Sequence, residues 1–334
     1  MTTSPRALDT QGIVTHAPAK FRMRGKLQQL LAGASLLVIF AVFSFASPNF
    51  MTYGNVTSIL FSTVVIGTLA VGTTLVMISG GIDLSIGTGM ALSAVMAGVF
   101  ITNMGLPIVV GIVLTIAFGG LIGIINGLSV TILGLPPFIA TLAMMMAAEG
   151  LALIISGSAP IYIDAEGYSA ISTGSIIPGS GFPNAVIVLL IAAIACAIVL
   201  NKTVFGRYTF AIGGNEEATA LSGINVRRWK IGIYAFAGLF TGLAGILISA
   251  RLGSAQPAIG MGYELQAIAA VAIGGTSLTG GKGTIVGSLI GALIISTLNN
   301  GLQILSIQQE WQQVVLAVVI VGAVYADMVR RRRA

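Results

Sequence analysis

The residue types that carry out chemistry in proteins are scarce in this chain. It contains one histidine, His16, and one cysteine, Cys196, so a disulfide within the chain and a zinc site are both excluded. The only adjacent pair of acidic residues is Glu216-Glu217. These counts do not indicate catalysis. We therefore expect a chain that is not an enzyme and that holds no cofactor or metal of its own.

A different group of polar residues interrupts an apolar stretch, VMISGGIDLSIGTGMALS (76–93). An ionised carboxylate inside a membrane costs at least about 2.5 kcal/mol, so Asp83 needs a reason to be there. The pair Gly80-Gly81 allows the backbone to leave helical geometry. We predict a helix break at Gly80 and Gly81, with Asp83 and Ser85 capping the next helix. Two compatible interpretations remain open: a capped turn between two helices, or a polar break that lines a translocation path.

Other isolated polar side chains could line the same path. Asn126, Asn299 and Asn300 are candidates, together with Asp83 and Ser85, because polar groups inside a membrane need partners. Hydrogen bonding between helices is the alternative for each of them. A proton or sodium relay would have to use Asp83, Glu149 and Glu264.

The composition identifies the elements that must position these residues. Of 334 residues, 56% are hydrophobic and 8% are charged, and the mean hydropathy is +1.00. Soluble domains are about one quarter charged, so an integral membrane protein is indicated. We predict an all-α fold of about ten transmembrane helices, possibly eight to ten, some of them broken. The predicted spans are Leu27–Ala46, Val56–Ile78, Ile86–Thr102, Pro107–Leu133, Phe138–Ile155, Ala185–Leu200, Ile231–Ala250, Glu264–Leu278, Thr284–Leu302 and Gln313–Met328.

The placement of positive charge predicts the orientation. With ten spans and a cytoplasmic N-terminus, fifteen of the 16 Lys and Arg residues fall on the cytoplasmic side, and only Arg251 falls outside. A count of eight spans would also place both termini in the cytoplasm, so the orientation alone does not determine the number of spans. We expect a basic cytoplasmic tail over residues 1–26, a permease domain over 27–329 and a basic cytoplasmic end over 330–334. Each basic cluster adjoins an apolar segment, which does not favour nucleic acid as a partner.

One cytoplasmic loop, residues 201–230, has the pattern of a short helix. Asn215 can cap its start, Glu216 and Glu217 suit its first turn, and Gly223 can end it. The helix could dock a cytoplasmic partner or lie at the membrane surface as an ordinary interfacial helix.

A glycine-rich segment, GGTSLTGGKGT (274–284), has some features of a phosphate-binding loop. It fails the pattern, because Thr276 stands where the first glycine should be and Gly283 replaces the required Ser or Thr. The segment does resemble GGIDLSIG (80–87), and Asn126-Gly127-Leu128 resembles Asn300-Gly301-Leu302. These echoes suggest weakly duplicated halves, as in many transporters.

Four blocks of sequence resemble a known family. They are SGGIDLSIG (79–87), GGNEEATALSGINV (213–226), the 45-residue block from Ala250 to Ile294, and LNNGLQIL (298–305). They are similar to the ribose-type permeases, the membrane subunits of bacterial ATP-binding cassette importers for monosaccharides. The resemblance extends from about Ser47 to Val324.

The resemblance implies a function and partners. Such a permease works in the inner membrane with a second copy of itself or a related permease, surrounded by lipid. A periplasmic binding protein delivers the sugar, and a cytoplasmic subunit with two fused nucleotide-binding domains binds ATP and Mg. The family's E-A-A-x-x-x-G pattern is matched by Glu217, Ala218 and Gly223, with Thr219 departing from it. Asn215 to Ile224 is then the coupling helix that docks into the ATPase. A stand-alone ion-coupled carrier or channel for a small polar solute is the alternative.

Overall fold

The computed structural model describes residues 19–176 and 182–332. In these ranges the regular structure is helical apart from one pair of two-residue strands, so the predicted all-α class is confirmed. A π-helical turn, Val99–Asn103, continues the helix that ends at Gly98. The elements are α1 (Ala19–Ala46), α2 (Tyr53–Ile78), α3 (Ile86–Gly98), α4 (Ile108–Thr131), α5 (Pro137–Ser156), β1 (Ile161–Tyr162), α6 (Ala170–Thr173), α7 (Asn184–Lys202), α8 (Val204–Gly214), α9 (Glu216–Leu221), α10 (Val226–Leu252), β2 (Ser254–Ala255), α11 (Tyr263–Ile273), α12 (Ile285–Ile304) and α13 (Gln309–Arg332).

The helices include enough long apolar ones for a multi-pass membrane protein. Among the described residues, seven are long and apolar enough to cross a bilayer: α2, α3 with its π-helical turn, α4, α5, α7, α10 and α12. The apolar part of α1 and the 11 residues of α11 are shorter. All ten predicted runs overlap with helices, but the count of ten spans stays a prediction.

The predicted terminal segments extend partly beyond the described residues. Residues 1–18, which include His16, lie outside them, as do Arg333 and Ala334. Helix α1 begins at Ala19, before the predicted start at Leu27, and α13 continues to Arg332.

Helix α2 lies at the centre of the molecule. Of its most apolar 18 residues 83% are buried, against 22% for α5. Its threonines do not disturb this apolar environment, because each buried hydroxyl donates to the carbonyl oxygen four residues earlier. The four are Thr63, Thr68, Thr73 and Thr74. Helices such as α5 therefore supply the apolar outer surface that lipid or a partner must cover.

Helices α4 and α10 pack with their backbones in contact. A Cβ at Gly119 would lie 2.7 Å from the Cα of Gly242, and a Cβ at Gly127 would lie 2.7 Å from the Cα of Ile231. Gly123 similarly abuts the carbonyl of Tyr234. Small residues at four-residue spacing allow helices to approach this closely in lipid. The two helices therefore form one tightly packed pair.

The two ends of α10 belong to different parts of the molecule. Its 27 residues span about 40 Å at 1.5 Å per residue. Its first residue follows α9 and the connecting turn, and its last residue leads into β2, which pairs antiparallel with β1. The strand pair and α9 therefore lie at opposite ends of α10.

Candidate functional site

The glycine pair after α2 forms a tight helix end. The N–H of Gly81 donates to the carbonyl of Val76, and the N–H of Gly80 donates to that of Met77. With φ of 83° at Gly80, these bonds form the Schellman motif, which a left-handed residue closes. Gly81 is also needed for space, because a Cβ there would overlap the Tyr234 hydroxyl. The chain then runs without regular structure to α3.

Asp83 lies in this connection and organises a buried polar network. One of its carboxylate oxygens accepts the backbone N–H of Ser85 at 2.9 Å and the Ser85 hydroxyl at 2.6 Å. The amide nitrogen of Asn126, from α4, donates to the Ser85 hydroxyl at 2.8 Å and approaches the second Asp83 oxygen at 3.3 Å. All three side chains are buried. The sequence separation of Asp83 and Asn126 is 43 residues, so the network joins the break to α4.

The predicted capping role of Asp83 and Ser85 was wrong in detail. Ser85 is the N-cap residue of α3, but its side chain makes no capping bond to the first turn. Its hydroxyl donates to Asp83 instead, and Asp83 accepts the N–H of Ser85 itself. The physical reason is the buried carboxylate, whose oxygens take the nearest donors since an unpaired buried charge is costly.

Two polar atoms beside this network have no hydrogen-bond partner among the described residues: Oδ1 of Asn126 and the hydroxyl of Tyr234. Both side chains are buried. Tyr234 comes from α10 and reaches the break at Gly81. The break is thus surrounded by α4 and α10, the tightly packed pair.

The remaining candidates for a translocation path lie elsewhere. Asn299, in α12, donates to the side-chain oxygen of Gln266 in α11 at 3.1 Å. Asn300 follows it, and its Oδ1 is buried without a partner among the described residues. The structure therefore divides the five predicted path residues into two groups, and it brings together only Asp83, Ser85 and Asn126.

Glu264 occupies another helix start. It is buried in the first turn of α11, where its carboxylate accepts the N–H of Gly262 at 3.0 Å. The same carboxylate packs against Gly87 of α3, where a Cβ would overlap it. The starts of α3 and α11 are therefore in contact, and a carboxylate is favourably placed near such helix N-termini.

The second glycine-rich segment repeats the geometry of the first. Gly275 has φ of 94°, its N–H donates to Ala272, and the N–H of Thr276 donates to Val271. The turn has the same hydrogen-bonding pattern as the turn at Gly80 and Gly81. Gly275 takes the place of Gly80 in it, whereas the sequence comparison pairs Gly274 with Gly80. The second echo does not hold in space, because Asn126 lies in the helix after α3 whereas Asn300 lies in α12, which directly follows the turn.

Three glycine-containing segments meet in what we call the glycine junction: residues 78–81, 213–214 and 280–281. The N–H of Gly281 donates to the carbonyl of Ile78 at 2.8 Å. A Cβ at Gly213 would overlap that carbonyl oxygen and would lie 2.7 Å from the nitrogen of Gly281. A Cβ at Gly280 would lie 3.0 Å from the Cα of Gly80. The end of α8 therefore touches both turns.

The predicted coupling helix begins directly after the glycine junction. Asn215 is its N-cap, and its side-chain oxygen accepts the N–H of Ala218 at 2.9 Å. Glu216 and Glu217 stand in the first turn of α9, and Gly223 follows the helix with φ of 83°. A cavity of about 680 Å³ beside α9 is lined by Val130, Thr131, Glu216, Glu217, Ala220, Asn225, Val226, Arg227 and Lys230.

Sequence reasoning missed three functional candidates. Lys230 forms an ion pair with Glu216, Tyr234 approaches the break, and Gly213 touches both turns. Lys230 was counted only as a cytoplasmic charge, and Tyr234 only as part of an apolar run. A tyrosine in a span, whose hydroxyl must be buried or reach a boundary, was the one available signal. The contact of Gly213 has no local signal.

Comparison with known proteins identifies the family. Residues 55–324 match the family model described as the permease component of the branched-chain amino acid transport system. The chain belongs to this permease family. Together with the apolar spans, membership makes it a multi-pass permease of the inner membrane.

Relatives of this permease are named as sugar importers. It is 45% identical over 294 residues to the ribose import permease protein RbsC of Escherichia coli strain K12, covering 88% of this chain and 91% of the relative. It is 43% identical over 306 residues to RbsC of Bacillus subtilis strain 168, covering 91% and 94%. It is 35% identical over 313 residues to the galactose/methyl galactoside import permease protein MglC of E. coli K12, covering 89% and 93%.

These matches confirm the resemblance to the sugar permeases of ATP-binding cassette importers. No solved structure gave a significant match to this permease.

Proposed function

We propose that this chain is the membrane subunit of an ATP-binding cassette importer and passes a monosaccharide from a periplasmic binding protein into the cytoplasm. The observation that carries the proposal is the 45% identity to a ribose import permease over 88% of the chain. Ribose is the first sugar to test. Related pentoses and galactose-type sugars follow, because the relatives at lower identity are named for L-arabinose and galactose.

The energy source in this proposal is a separate ATPase subunit that docks on α9. The helix presents Glu217 and Leu221 to solvent, and the Leu221 side chain is 84% exposed. A large apolar side chain beside acidic groups on a short exposed helix suits a protein partner. Thr219 faces inward, and its hydroxyl donates to the carbonyl of Asn215. One face of α9 thus holds the helix to the permease, and the other is free for docking.

Displacement of α9 has a direct route into the membrane. Gly213 and Asn215 flank Gly214, so a displaced α9 also moves the glycine junction. The junction touches the turns that precede α3 and α12. In this account ATP binding moves α9, the junction moves both turns, and the permease alternates between outward and inward openings. The Asp83 network then keeps the break fixed to α4 during the movement.

The substrate passage requires a second permease, either another copy or a related chain. Asp83, Ser85 and Asn126 are buried inside one chain, and each of them is at most 3% exposed. Helices α4, α5 and α7 keep much of their surface exposed. A passage between two permeases would use such surfaces, and the binding protein would supply the selectivity for the sugar.

The ion-coupled alternative has less support. Asp83 and Glu264 each engage donors of the neighbouring backbone, as groups that stabilise helix starts do. A carrier of that kind would have no need for a docking helix such as α9.

Vesicle uptake distinguishes the two functions. Right-side-out vesicles that carry the chain with its companion ATPase and binding protein should accumulate labelled ribose when ATP is enclosed. Vanadate, which arrests ATPases of this class, should stop the uptake, and a protonophore should not. Uptake that survives vanadate and collapses with the ion gradient would exclude the importer and favour the carrier.

A further inference from the structure

We propose that Lys230 is a positioning residue that fastens α9 to α10 through Glu216, so that a displacement of α9 moves α10 with it. The inference rests on the proposed function, since it assigns a role within the coupling of ATP hydrolysis to sugar transport. The observation behind it is the ion pair between Lys230 and Glu216. Neither the sequence patterns nor the family comparison indicates this pair.

The geometry of the pair is specific. The Lys230 Nζ lies 2.6 Å from Oε2 of Glu216. The Lys230 side chain is 17% exposed, whereas that of Glu216 is 53% exposed. The lysine stem therefore packs on the permease while its ammonium group reaches out to the helix. Glu216 stands in the first turn of α9, where a carboxylate also interacts favourably with the helix dipole.

The lysine is attached to the rigid part of the membrane domain. Lys230 and Tyr234 are four residues apart on α10 and hence lie on one face of that helix. The carbonyl of Tyr234 abuts Gly123 of α4, and its hydroxyl lies at Gly81 in the break. A force on Lys230 is therefore applied to the α4–α10 pair and, one turn further, to the break that contains Asp83.

Helix α9 needs such an attachment because it is short. Its six residues make fewer than two turns, which are not stable in water by themselves. Gly223, with φ of 83°, follows it and provides a point where α9 can swing relative to α10. The Asn215 cap holds the helix at its start. The ion pair bridges Gly223, so the helix and α10 cannot swing apart freely.

The ion pair between Lys230 and Glu216 is too weak to determine the fold. Partly exposed ion pairs contribute little to the stability of folded proteins, and the fold is secured by the buried helices. Removing the charge of Lys230 should therefore affect the coupling more than the folding. A direct contact of Lys230 with the ATPase is the competing explanation, because Lys230 also lines the cavity beside α9.

The test uses the complete importer in proteoliposomes and measures sugar transported per ATP hydrolysed. Lys230→Met keeps the apolar stem and removes the charge. It should lower this ratio by about two- to fivefold, which corresponds to ~0.5–1 kcal/mol of lost interaction. Lys230→Arg should retain the ratio. Arg227→Ala is the matched control, because Arg227 lines the same cavity but has no ion pair among the described residues, and it should leave the ratio unchanged.

A charge exchange separates the pair from a direct contact with the ATPase. Lys230→Glu and Glu216→Lys should each lower the ratio, and the double variant should restore most of it. Single variants that behave like the wild type would overturn the inference. So would a double variant no better than the singles, or a Lys230→Met complex that no longer binds the ATPase. If the wild-type complex itself shows no ATP-dependent uptake, the proposed function fails, which is a different result.

Discussion

Adding one methyl group at Gly213 should break the link between α9 and the membrane helices. A Cβ at this position would overlap the carbonyl oxygen of Ile78 and would lie 2.7 Å from the nitrogen of Gly281. Relief of the overlap with the Ile78 oxygen requires the segments to separate by roughly 2 Å, because non-bonded atoms prefer about 3.5–4 Å. The same separation lengthens the 2.8 Å hydrogen bond from Gly281 to Ile78.

The magnitude follows from these two losses. Overpacking of a close contact costs about 1–3 kcal/mol, and a hydrogen bond contributes about 0.5–1.5 kcal/mol. Gly213→Ala should therefore destabilise the junction by roughly 2–4 kcal/mol. The matched control is Gly214→Ala, one residue later, where no atom lies within 4 Å of an added Cβ. Because Gly214 ends α8, alanine there should be neutral or stabilising by up to about 1 kcal/mol.

The assay compares the two variants at equal membrane abundance. Each is reconstituted with its ATPase and binding protein, and both labelled sugar uptake and ATP hydrolysis are measured. Gly213→Ala should hydrolyse ATP with little or no uptake, and Gly214→Ala should match the wild type. Equal uptake by the two variants, at equal abundance, would refute the role given to the junction.

Substitutions at three further positions test the surrounding structure. Asp83→Leu leaves two buried donors of Ser85, its backbone N–H and its hydroxyl, without their acceptor, at about 1–3 kcal/mol for each. Its melting temperature and uptake should fall, whereas Asp83→Asn, which keeps an acceptor, should lose less; equal behaviour of the two would contradict the network. Tyr234→Phe removes a buried hydroxyl that has no partner among the described residues, so thermal stability and uptake should be kept or improved. A marked loss of either would assign that hydroxyl a role. Asn215→Ala removes the cap of α9 at a cost of about 1 kcal/mol and should lower sugar transported per ATP, whereas an unchanged ratio would show that α9 needs no cap.

The part of the fold that the lipid bilayer dictates was predictable from the sequence. Long apolar runs must become helices in lipid, since every backbone polar group has to be paired within the segment. That constraint located α2, α4 and α10 closely. It located α11 less closely, because the predicted run from Glu264 to Leu278 continues past the end of that helix at Ile273. A glycine-rich turn separates α11 from the start of α12 at Ile285, and its position depends on tertiary contacts.

The site was predictable only where neighbours in sequence act together. Asn215 capping α9 is a local pattern, and the structure contains it. The network of Asp83 with Asn126 joins distant segments, as does the pair of Lys230 with Glu216, and neither follows from spacing. The capping role of Ser85 was wrong because a buried carboxylate competed for its hydroxyl. Local rules fail where a buried charge needs donors.

The central claim is that this chain provides a gated passage while another subunit, docked on α9, supplies the energy. The most direct measurement uses purified chain in proteoliposomes, alone and then with the ATPase and binding protein. Alone it should neither hydrolyse ATP nor accumulate ribose, and the complete set should do both. Accumulation of sugar against a gradient by the chain alone would contradict the account.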